Sequence, residues 1–297
     1  MSRAFQAITA EPWAIVPAEL QKIAAIVQHH AMPDATAKGE PEYQKRDYQL
    51  MAGPGAQRLA GTNRAFLIDG VAILPITGPI FPRANMMTEY SGATSINTLT
   101  DDYRKALDSS DVGAILLLID SPGGAVSGVN AFSDLLAAGA KKKYTTAFVA
   151  GSAASAAYWI ASAASEIAME RTGMVGSIGV VAAIPVQVAP DAGGDLWIEI
   201  VSSNAPSKRP DPVSEDGRAE IVAVLDAVEK QFVADVARGR KTTVEKVLSD
   251  FGQGSVKVGA DAVKAGMADK VQSYDAALNA LKRMVANQRR LAALKQN

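Results

Sequence analysis

Ser155 is the residue of this chain whose position is most favourable for chemistry. It lies in the uncharged run from Gly151 to Ser162, where an apolar strand is predicted to end and a helix to begin. A serine at such a junction can project its hydroxyl at a helix N-terminus, where free backbone N–H groups and the helix dipole favour developing negative charge. The hypothesis is a nucleophilic serine. The alternative is that serine and alanine here only permit close packing of a helix.

A lysine would have to be the base for such a serine. The 297 residues include two histidines, His29 and His30, which are adjacent on a predicted N-terminal helix and leave no imidazole for a Ser-His-Asp triad. Cysteine is absent, which excludes a thiol nucleophile, a disulfide framework and any Cys-ligated metal. The sequence has no spaced acidic cluster that would indicate a carboxylate metal site. We therefore expect neither a metal nor a cofactor.

Lys208 is the candidate base. It lies in a proline-restricted loop from Asn204 to Pro212, after a strand predicted over 196–202. A lysine held there against an apolar wall would lose solvation and become neutral, and a neutral lysine can accept the serine proton. Such a base predicts activity that rises with pH. A loop lysine on its own is more often simply solvated, so both interpretations stand at this point.

Two glycines, Gly123 and Gly124, follow the most apolar predicted strand in the motif Asp120-Ser-Pro-Gly-Gly. Bare backbone amides in this position would let a substrate carbonyl approach without meeting a side chain, as in an oxyanion hole. Pro-Gly-Gly is also ordinary turn chemistry, and by itself the motif indicates no more than a turn.

Continuous apolar runs alternate with helical segments through the middle of the chain. Residues 71–78 and 112–119 have strand character, and 94–109 has the pattern of an amphipathic helix. Strands that are apolar on both faces indicate a sheet covered on both sides, hence an α/β layered fold with largely parallel strands. The uncharged stretch 144–165 could span a bilayer by length, but its Ala, Ser and Gly content favours a buried strand, turn and helix.

Composition divides the chain into four regions. We expect a helical N-terminal module over 1–30, a polar linker over 31–64, the main domain over 65–272 and a basic amphipathic helix over 273–297. That last helix either docks on a partner or is an ordinary solvated terminus. The net charge of −1 gives no reason to expect nucleic acid, and the N-terminus has no signal-peptide pattern, so we expect a cytoplasmic protein without a membrane partner.

Four elements occur in an order that is similar to a known family. They are Asp120-Ser-Pro-Gly-Gly124, Ala154-Ser-Ala-Ala-Tyr-Trp-Ile-Ala161, Gly176-Ser-Ile-Gly-Val180 and Lys208. Together they resemble the signal peptide peptidase A family of serine peptidases, over about residues 66 to 271. The resemblance implies a crotonase-like, Clp-protease-like fold and a Ser/Lys dyad for peptide hydrolysis.

The same resemblance assigns a role to each matching residue. Ser155 corresponds to the nucleophile and Lys208 to its general base. Gly123 corresponds to the oxyanion-hole donor, with Gly124 or the amide of Ala156 assisting. Ser177 lies where a hydroxyl would orient the lysine amine; the alternative for this residue is an ordinary turn serine.

The sequence departs from the family pattern at two places and resembles one branch of the family at a third. Many family members have Ser-Gly-Gly where this chain has Ser155-Ala-Ala157, and a glycine common before the lysine is replaced by Asn204-Ala-Pro-Ser207. The segment Pro12-Trp13-Ala14-Ile15 is similar to one in tailed-phage head-maturation proteases. That branch implies a homo-oligomer that cleaves a polypeptide substrate such as scaffold protein, with capsid or portal proteins as partners.

Three other functions stay open. One is a non-phage cytoplasmic peptidase of the same family, another a crotonase-fold enzyme acting on acyl-CoA, and the third a non-catalytic assembly protein. The loops around Gly123 and Ser155 lack the acidic catalytic residues and basic phosphate site that acyl-CoA enzymes use. The presence of Ser155 together with Lys208 weighs against an assembly protein.

Overall fold

The computed structural model of the chain describes residues 12–15, 52–84, 92–184, 186, 189, 198 and 200–295. The strands are β1 (Trp13–Ile15), β2 (Gln57–Arg58), β3 (Phe66–Ile68), β4 (Val71–Thr77), β5 (Ile80–Phe81), β6 (Thr94–Ser95), β7 (Ala114–Ser121), β8 (Gly123–Ala125), β9 (Thr145–Ala154), β10 (Glu166–Met169), β11 (Met174–Gly176), β12 (Val256–Val258) and β13 (Lys270–Val271). The α-helices are α1 (Ile96–Asp108), α2 (Val129–Ala140), α3 (Ala156–Ser162), α4 (Glu215–Gly239), α5 (Val244–Asp250), α6 (Gly259–Ala265) and α7 (Tyr274–Leu294).

The large sheet has the order β12-β11-β9-β7-β4-β3-β2, and β10 pairs with both β9 and β13. Its central pairs β4–β7 and β7–β9 are parallel, whereas the outer pairs β2–β3, β3–β4 and β11–β12 are antiparallel. Alternate residues of β7 enter two separate apolar clusters, one on each face of the sheet. The prediction of an α/β layered fold with mostly parallel strands is confirmed, because a strand that is apolar at every position can be buried only when both faces are covered.

A smaller sheet with the order β1-β8-β5-β6 stands beside the large one. β8 is its central strand next to β1, which runs antiparallel to it, and β5 runs parallel to β8 and to β6. Only Pro122 separates β8 from the end of β7. The chain therefore leaves the centre of the large sheet and enters the small sheet at Gly123.

The uncharged stretch 144–165 is the buried strand, turn and helix that its composition predicts. Thr145–Ala154 forms β9, Ser155 forms the turn, and Ala156–Ser162 forms α3. Every residue of α3 is buried. Over the part of the chain that the structure describes, no helix is long and apolar enough to cross a membrane.

The N-terminal third differs from its prediction where it is described. Trp13–Ile15 is a strand and not part of a helical module; apart from Pro12, the rest of residues 1–30 lies outside the described residues. The predicted linker ends in packed structure, since Ala52, Ala56 and Leu59 are buried and β2 pairs with β3. A contact with a distant part of the chain helps to order this segment: the Tyr274 hydroxyl of α7 donates a hydrogen bond to the carbonyl of Ala52.

The strand predicted over 196–202 is not present at its described positions. Ile198 and residues 200–202 have no strand assignment, and Ile198 and Ile200 are exposed. A strand needs a neighbouring strand to pair with, and these described positions have none. The apolar character of the run alone was therefore not enough to predict a strand.

The C-terminal helix α7 is part of the core and not a separate basic appendage. Its apolar face packs on the large sheet through Ala277, Leu278, Leu281 and Val285. A Cβ built on Gly70 or Gly113 would lie within 2.9 Å of the Val285 side chain, so these glycines allow the close approach. The large apolar side chains that α7 exposes, Leu291 and Leu294, lie in its last turns.

Leu281→Ala is expected to lower the free energy of unfolding by about 2–5 kcal/mol, because it leaves a cavity under α7. Urea unfolding followed by circular dichroism measures the change. Leu291→Ala, the same substitution on the exposed side of the same helix, should stay within about 0.5 kcal/mol of wild type. Equal effects of the two substitutions would contradict a core role for α7.

Candidate active site

Ser155 occupies a strained backbone conformation between β9 and α3. Its φ of 55° and ψ of −120° are unusual for a residue other than glycine. Two backbone hydrogen bonds hold it there, from its N–H to the Gly176 carbonyl at 2.6 Å and from the Trp159 N–H to its carbonyl at 2.9 Å. Such strain costs about 1–3 kcal/mol and persists where the surrounding structure enforces it, often at functional sites.

The hydroxyl of Ser155 is buried without a hydrogen-bond partner among the described residues. The residue is only 1% exposed. An unsatisfied buried hydroxyl costs about 1–3 kcal/mol, so a chain that keeps one at a strained turn bears two penalties at a single residue. Both the strain and the missing hydrogen bond are expected of a hydroxyl that has to react with a substrate.

Gly123 lies directly beside Ser155. Its φ is +100°, and a Cβ built on it would lie 2.9 Å from both the Ser155 Cβ and the Ala154 carbonyl oxygen. The Gly123 N–H donates to the Ser121 Oγ at 3.2 Å, and that hydroxyl donates to the Gly78 carbonyl at 2.6 Å. Only glycine fits here, because a side chain on this residue would meet the Ser155 side chain.

Gly124 and Ala156 are the assisting donors predicted from sequence. Gly124 follows Gly123 in β8, and Ala156 follows Ser155. Gly124 sits inside the small sheet, opposite Ala14 of β1 and Ile80 of β5, and a Cβ on it would overlap the Ile80 backbone. The sheet therefore explains this glycine without an oxyanion role. Ala156 is the first residue of α3 and immediately follows Ser155.

Ser177 is also brought to the site. It follows the Gly176 carbonyl that accepts the Ser155 N–H, has a φ of 54°, and donates its own N–H to the Ser255 carbonyl at 2.9 Å. Ser177 is thus a second non-glycine residue with positive φ, directly after the Gly176 whose carbonyl positions Ser155. Its side chain is half-buried.

Lys208 is exposed and makes no hydrogen bond to the Ser155 hydroxyl in the described chain. It ends a short 3₁₀ helix, Pro206–Lys208, whose three residues are all exposed. The Ser155 Oγ has no hydrogen-bond partner among the described residues, so no Ser155–Lys208 hydrogen bond forms in the single chain. The structure therefore assembles Ser155, Gly123, Ala156 and Ser177 and leaves the lysine on the surface.

The helix behind Ser155 is anchored by residues that the sequence analysis did not identify. The Trp159 ring stacks on Phe232 of α4, with centroids 4.5 Å apart, and its Nε1–H donates to the buried Asp235 at 3.0 Å. The Tyr158 hydroxyl donates to the Met267 carbonyl at 2.9 Å, and burial raises the pKa of this phenol. No local pattern could reveal these contacts, since the partners lie more than 70 residues apart in sequence.

No group of three or more His, Cys, Asp or Glu side chains that could hold a metal ion occurs within the described ranges. Around Ser155, the described chain offers a hydroxyl, backbone amides and small side chains. These are the components of acyl transfer to a serine.

Comparison with known proteins identifies the family. The profile of Peptidase family S49 matches residues 137–288, a range that includes Ser155, Ser177 and Lys208. The chain belongs to peptidase family S49. The resemblance to signal peptide peptidase A is confirmed at the level of this family, and the S49 match extends into α7, as far as residue 288.

Curated relatives of this S49 chain include phage and bacterial proteins. It is 30% identical over 214 residues to capsid assembly protease C of Escherichia phage lambda, which covers 71% of the chain and 48% of that protein. It is 27% identical to head-tail preconnector protein GP5 of Enterobacteria phage P21, covering 76% of the chain and 45% of the relative. Protease 4 of Haemophilus influenzae is 28% identical over 75% of the chain and 36% of its own length. The chain thus spans about half the length of these phage relatives, and less of Protease 4.

Proposed function

We propose that this chain is a serine endopeptidase in which Ser155 is the nucleophile, Lys208 the general base and Gly123 the oxyanion-hole donor. The observation that carries the proposal is the buried, unpartnered Ser155 hydroxyl, held at a strained turn beside Gly123. Membership of family S49 supports it. A thioester enzyme or an assembly protein would not require an unsatisfied hydroxyl at this place.

The reaction follows from these groups. The Lys208 amine accepts the Ser155 proton while Oγ attacks the carbonyl carbon of the scissile peptide bond. The Ala156 N–H and the Gly123 N–H, which exchanges the Ser121 Oγ for the substrate, stabilise the oxyanion. The resulting ammonium returns the proton to the leaving amine as the C–N bond breaks, which leaves an ester on Ser155. Water then attacks the ester with Lys208 as base, and the acid product leaves. Ser177 orients the lysine amine in both steps.

The lysine of each site comes from a neighbouring copy of the chain. This part of the proposal explains why Lys208 is exposed while the Ser155 Oγ has no partner. Exposed apolar side chains lie before and after the lysine loop, at Ile198, Ile200 and Val213. Such residues are typical of a surface that is covered in an oligomer.

The proposed substrate is a scaffold or capsid protein in an assembling phage head, in the host cytoplasm. Support comes from the two phage relatives, whose names place them in capsid assembly and at the head-tail connection. The Protease 4 relatives favour the second candidate, a bacterial peptidase of the same family without a phage role. In both cases the substrate is a polypeptide and the chemistry is the same.

The decisive test is cleavage of unfolded casein and of a candidate scaffold protein, followed by mass spectrometry. Ser155→Ala is expected to abolish cleavage, with a loss of about 10⁴-fold or more. Ser152→Ala is the matched control, since Ser152 lies in β9 three residues before Ser155 and Asp120 accepts its backbone N–H, which the substitution keeps. Cleavage that survives in Ser155→Ala would overturn the proposal. Absence of Ser155-dependent cleavage in wild type would shift weight to an assembly role.

A further inference from the structure

The strand β1 is hydrogen-bonded on both of its edges. On one side, Trp13, Ala14 and Ile15 lie opposite Ala125, Gly124 and Gly123 of β8 in an antiparallel ladder. On the other side, Trp13 and Val181 exchange two backbone hydrogen bonds of 2.9 and 2.8 Å. The three residues therefore fill a slot between β8, which begins at Gly123, and Val181, which follows Ser177 by four residues.

This slot runs past the nucleophile. The point that a Cβ on Gly123 would occupy lies 2.2 Å from the Ala14 carbonyl oxygen and 2.9 Å from the Ser155 Cβ. A backbone carbonyl of β1 is thus a close neighbour of the serine that must attack a backbone carbonyl. With β1 in place Ser155 is only 1% exposed, so a polypeptide could not reach it.

The side chains of β1 occupy an apolar pocket of their own. Trp13 packs edge-on against Phe81, with ring centroids 6.0 Å apart, and shares a small cluster with Ala93, Ala125 and Val181. Ile15 belongs to the same cluster, whereas Ala14 is buried on the other side. The slot therefore accepts a large apolar, a small and an apolar residue in succession.

We propose that the slot between β8 and Val181 is the channel that binds substrate as an extended strand, and that β1 fills it as an internal competitor. Main-chain pairing on two edges gives affinity for any extended polypeptide, and the Trp13 pocket selects a large apolar side chain. A strand of three residues is short enough to be displaced without unfolding either sheet. The proposal deepens the proposed peptidase function and rests on it for the reaction, but occupancy of the slot can be tested without catalysis.

An engineered disulfide can hold β1 in the slot or release it in one and the same protein. The Val126 N–H donates to the Pro12 carbonyl, so Pro12 and Val126 are a hydrogen-bonded pair of the antiparallel ladder. Hydrogen-bonded and non-hydrogen-bonded pairs alternate, so the next pair, Trp13 and Ala125, is a non-hydrogen-bonded one. Such a pair has Cα atoms about 4.5 Å apart, within the range that a disulfide spans. The chain contains no other cysteine, so Trp13→Cys/Ala125→Cys has a single possible bridge within one chain, and non-reducing electrophoresis distinguishes it from a bridge between copies.

The binding test uses this double substitution in a Ser155→Ala background. The probe is a fluorescent peptide with the sequence of residues 11–17, Glu-Pro-Trp-Ala-Ile-Val-Pro, and binding is followed by anisotropy. In the reduced protein the Trp13 anchor is gone and β1 is free to leave, so we expect binding at least about tenfold tighter than in the oxidised protein. Trp13→Cys alone should show no redox dependence. Circular dichroism of both redox forms establishes that each is folded.

Equal peptide binding in the two redox forms, or no binding in either, would overturn the channel proposal whatever the enzyme does. The proposed function is read separately, by fluorophosphonate labelling of the reduced double variant that retains Ser155. Redox-dependent binding without Ser155 labelling would leave the channel in place and remove the nucleophile. Labelling without redox-dependent binding would keep Ser155 as the nucleophile and remove the channel, and β1 would be an ordinary structural strand.

Discussion

Gly123→Ala is expected to lower kcat/KM for an unfolded protein substrate by about 100-fold or more. The new Cβ would lie 2.2 Å from the Ala14 carbonyl oxygen and 2.9 Å from the Ala154 carbonyl oxygen and the Ser155 Cβ, so Gly123 cannot keep its position beside the serine even if β1 leaves. Its φ of +100° is in addition disfavoured for alanine. Loss of one well-placed oxyanion donor alone costs about 10²- to 10³-fold in rate. Steady-state cleavage kinetics measure the effect.

Gly266→Ala is the matched control for this prediction. Gly266 has a comparable φ of +87°, but a Cβ there would meet nothing within 4 Å. It caps α6 away from Ser155, so it should lower stability by about 1 kcal/mol and leave the cleavage rate unchanged. If both substitutions reduced the rate in proportion to stability, Gly123 would be a structural glycine and not an oxyanion donor.

Lys208→Ala and Ser155→Ala should each be inactive, yet their mixture should regain activity. In an oligomer that takes its lysine from a neighbour, random assembly pairs an intact serine with an intact lysine at about one site in four. We therefore expect about a quarter of wild-type cleavage after the two variants are unfolded together and refolded. The exposed position of Lys208 and the unpartnered Ser155 Oγ in one chain are the reasons for this expectation.

Two further variants separate a base from a mere charge. Lys208→Arg should stay inactive, because a guanidinium keeps its proton in proteins and cannot act as a base. Lys230→Ala, at another exposed lysine, should be as active as wild type. A mixture that stays inactive would place the dyad within one chain. Full activity of Lys208→Ala would remove the lysine from the mechanism.

Strand and helix positions in the middle of the chain were predictable because their residues are apolar in unbroken runs. β7 sends Leu116 to one apolar cluster and Leu117 to the other, and no exposed strand could carry such a sequence. The same reasoning predicted β9, the turn at Ser155 and α3. The sequence also pointed to Ser155 as a nucleophile, although only the backbone angles and the unpartnered hydroxyl give that hypothesis a structural basis.

The two ends of the chain were harder to predict, for one shared reason. An amphipathic helix such as α7 has the same pattern whether its apolar face meets a partner or its own sheet, and the contact of Val285 with the sheet residues decides between them. β1 is three residues long, too short for any periodicity, and its partner in β8 lies more than 100 residues away. Pairing at that distance is a property of the assembled sheet.

By itself the sequence determined the layered α/β fold and the place of Ser155 at a strand-to-helix turn, and the absence of a usable histidine led to the hypothesis of a lysine base. These depend on residue type and local spacing, which the linear chain already contains. Only the tertiary structure decided that Gly123 is adjacent to Ser155, that β1 pairs with β8 at Gly123, and that the exposed Lys208 makes no hydrogen bond to the Ser155 hydroxyl in the described chain. Those relations join residues that are far apart in sequence, and they exist only after the two sheets have packed together.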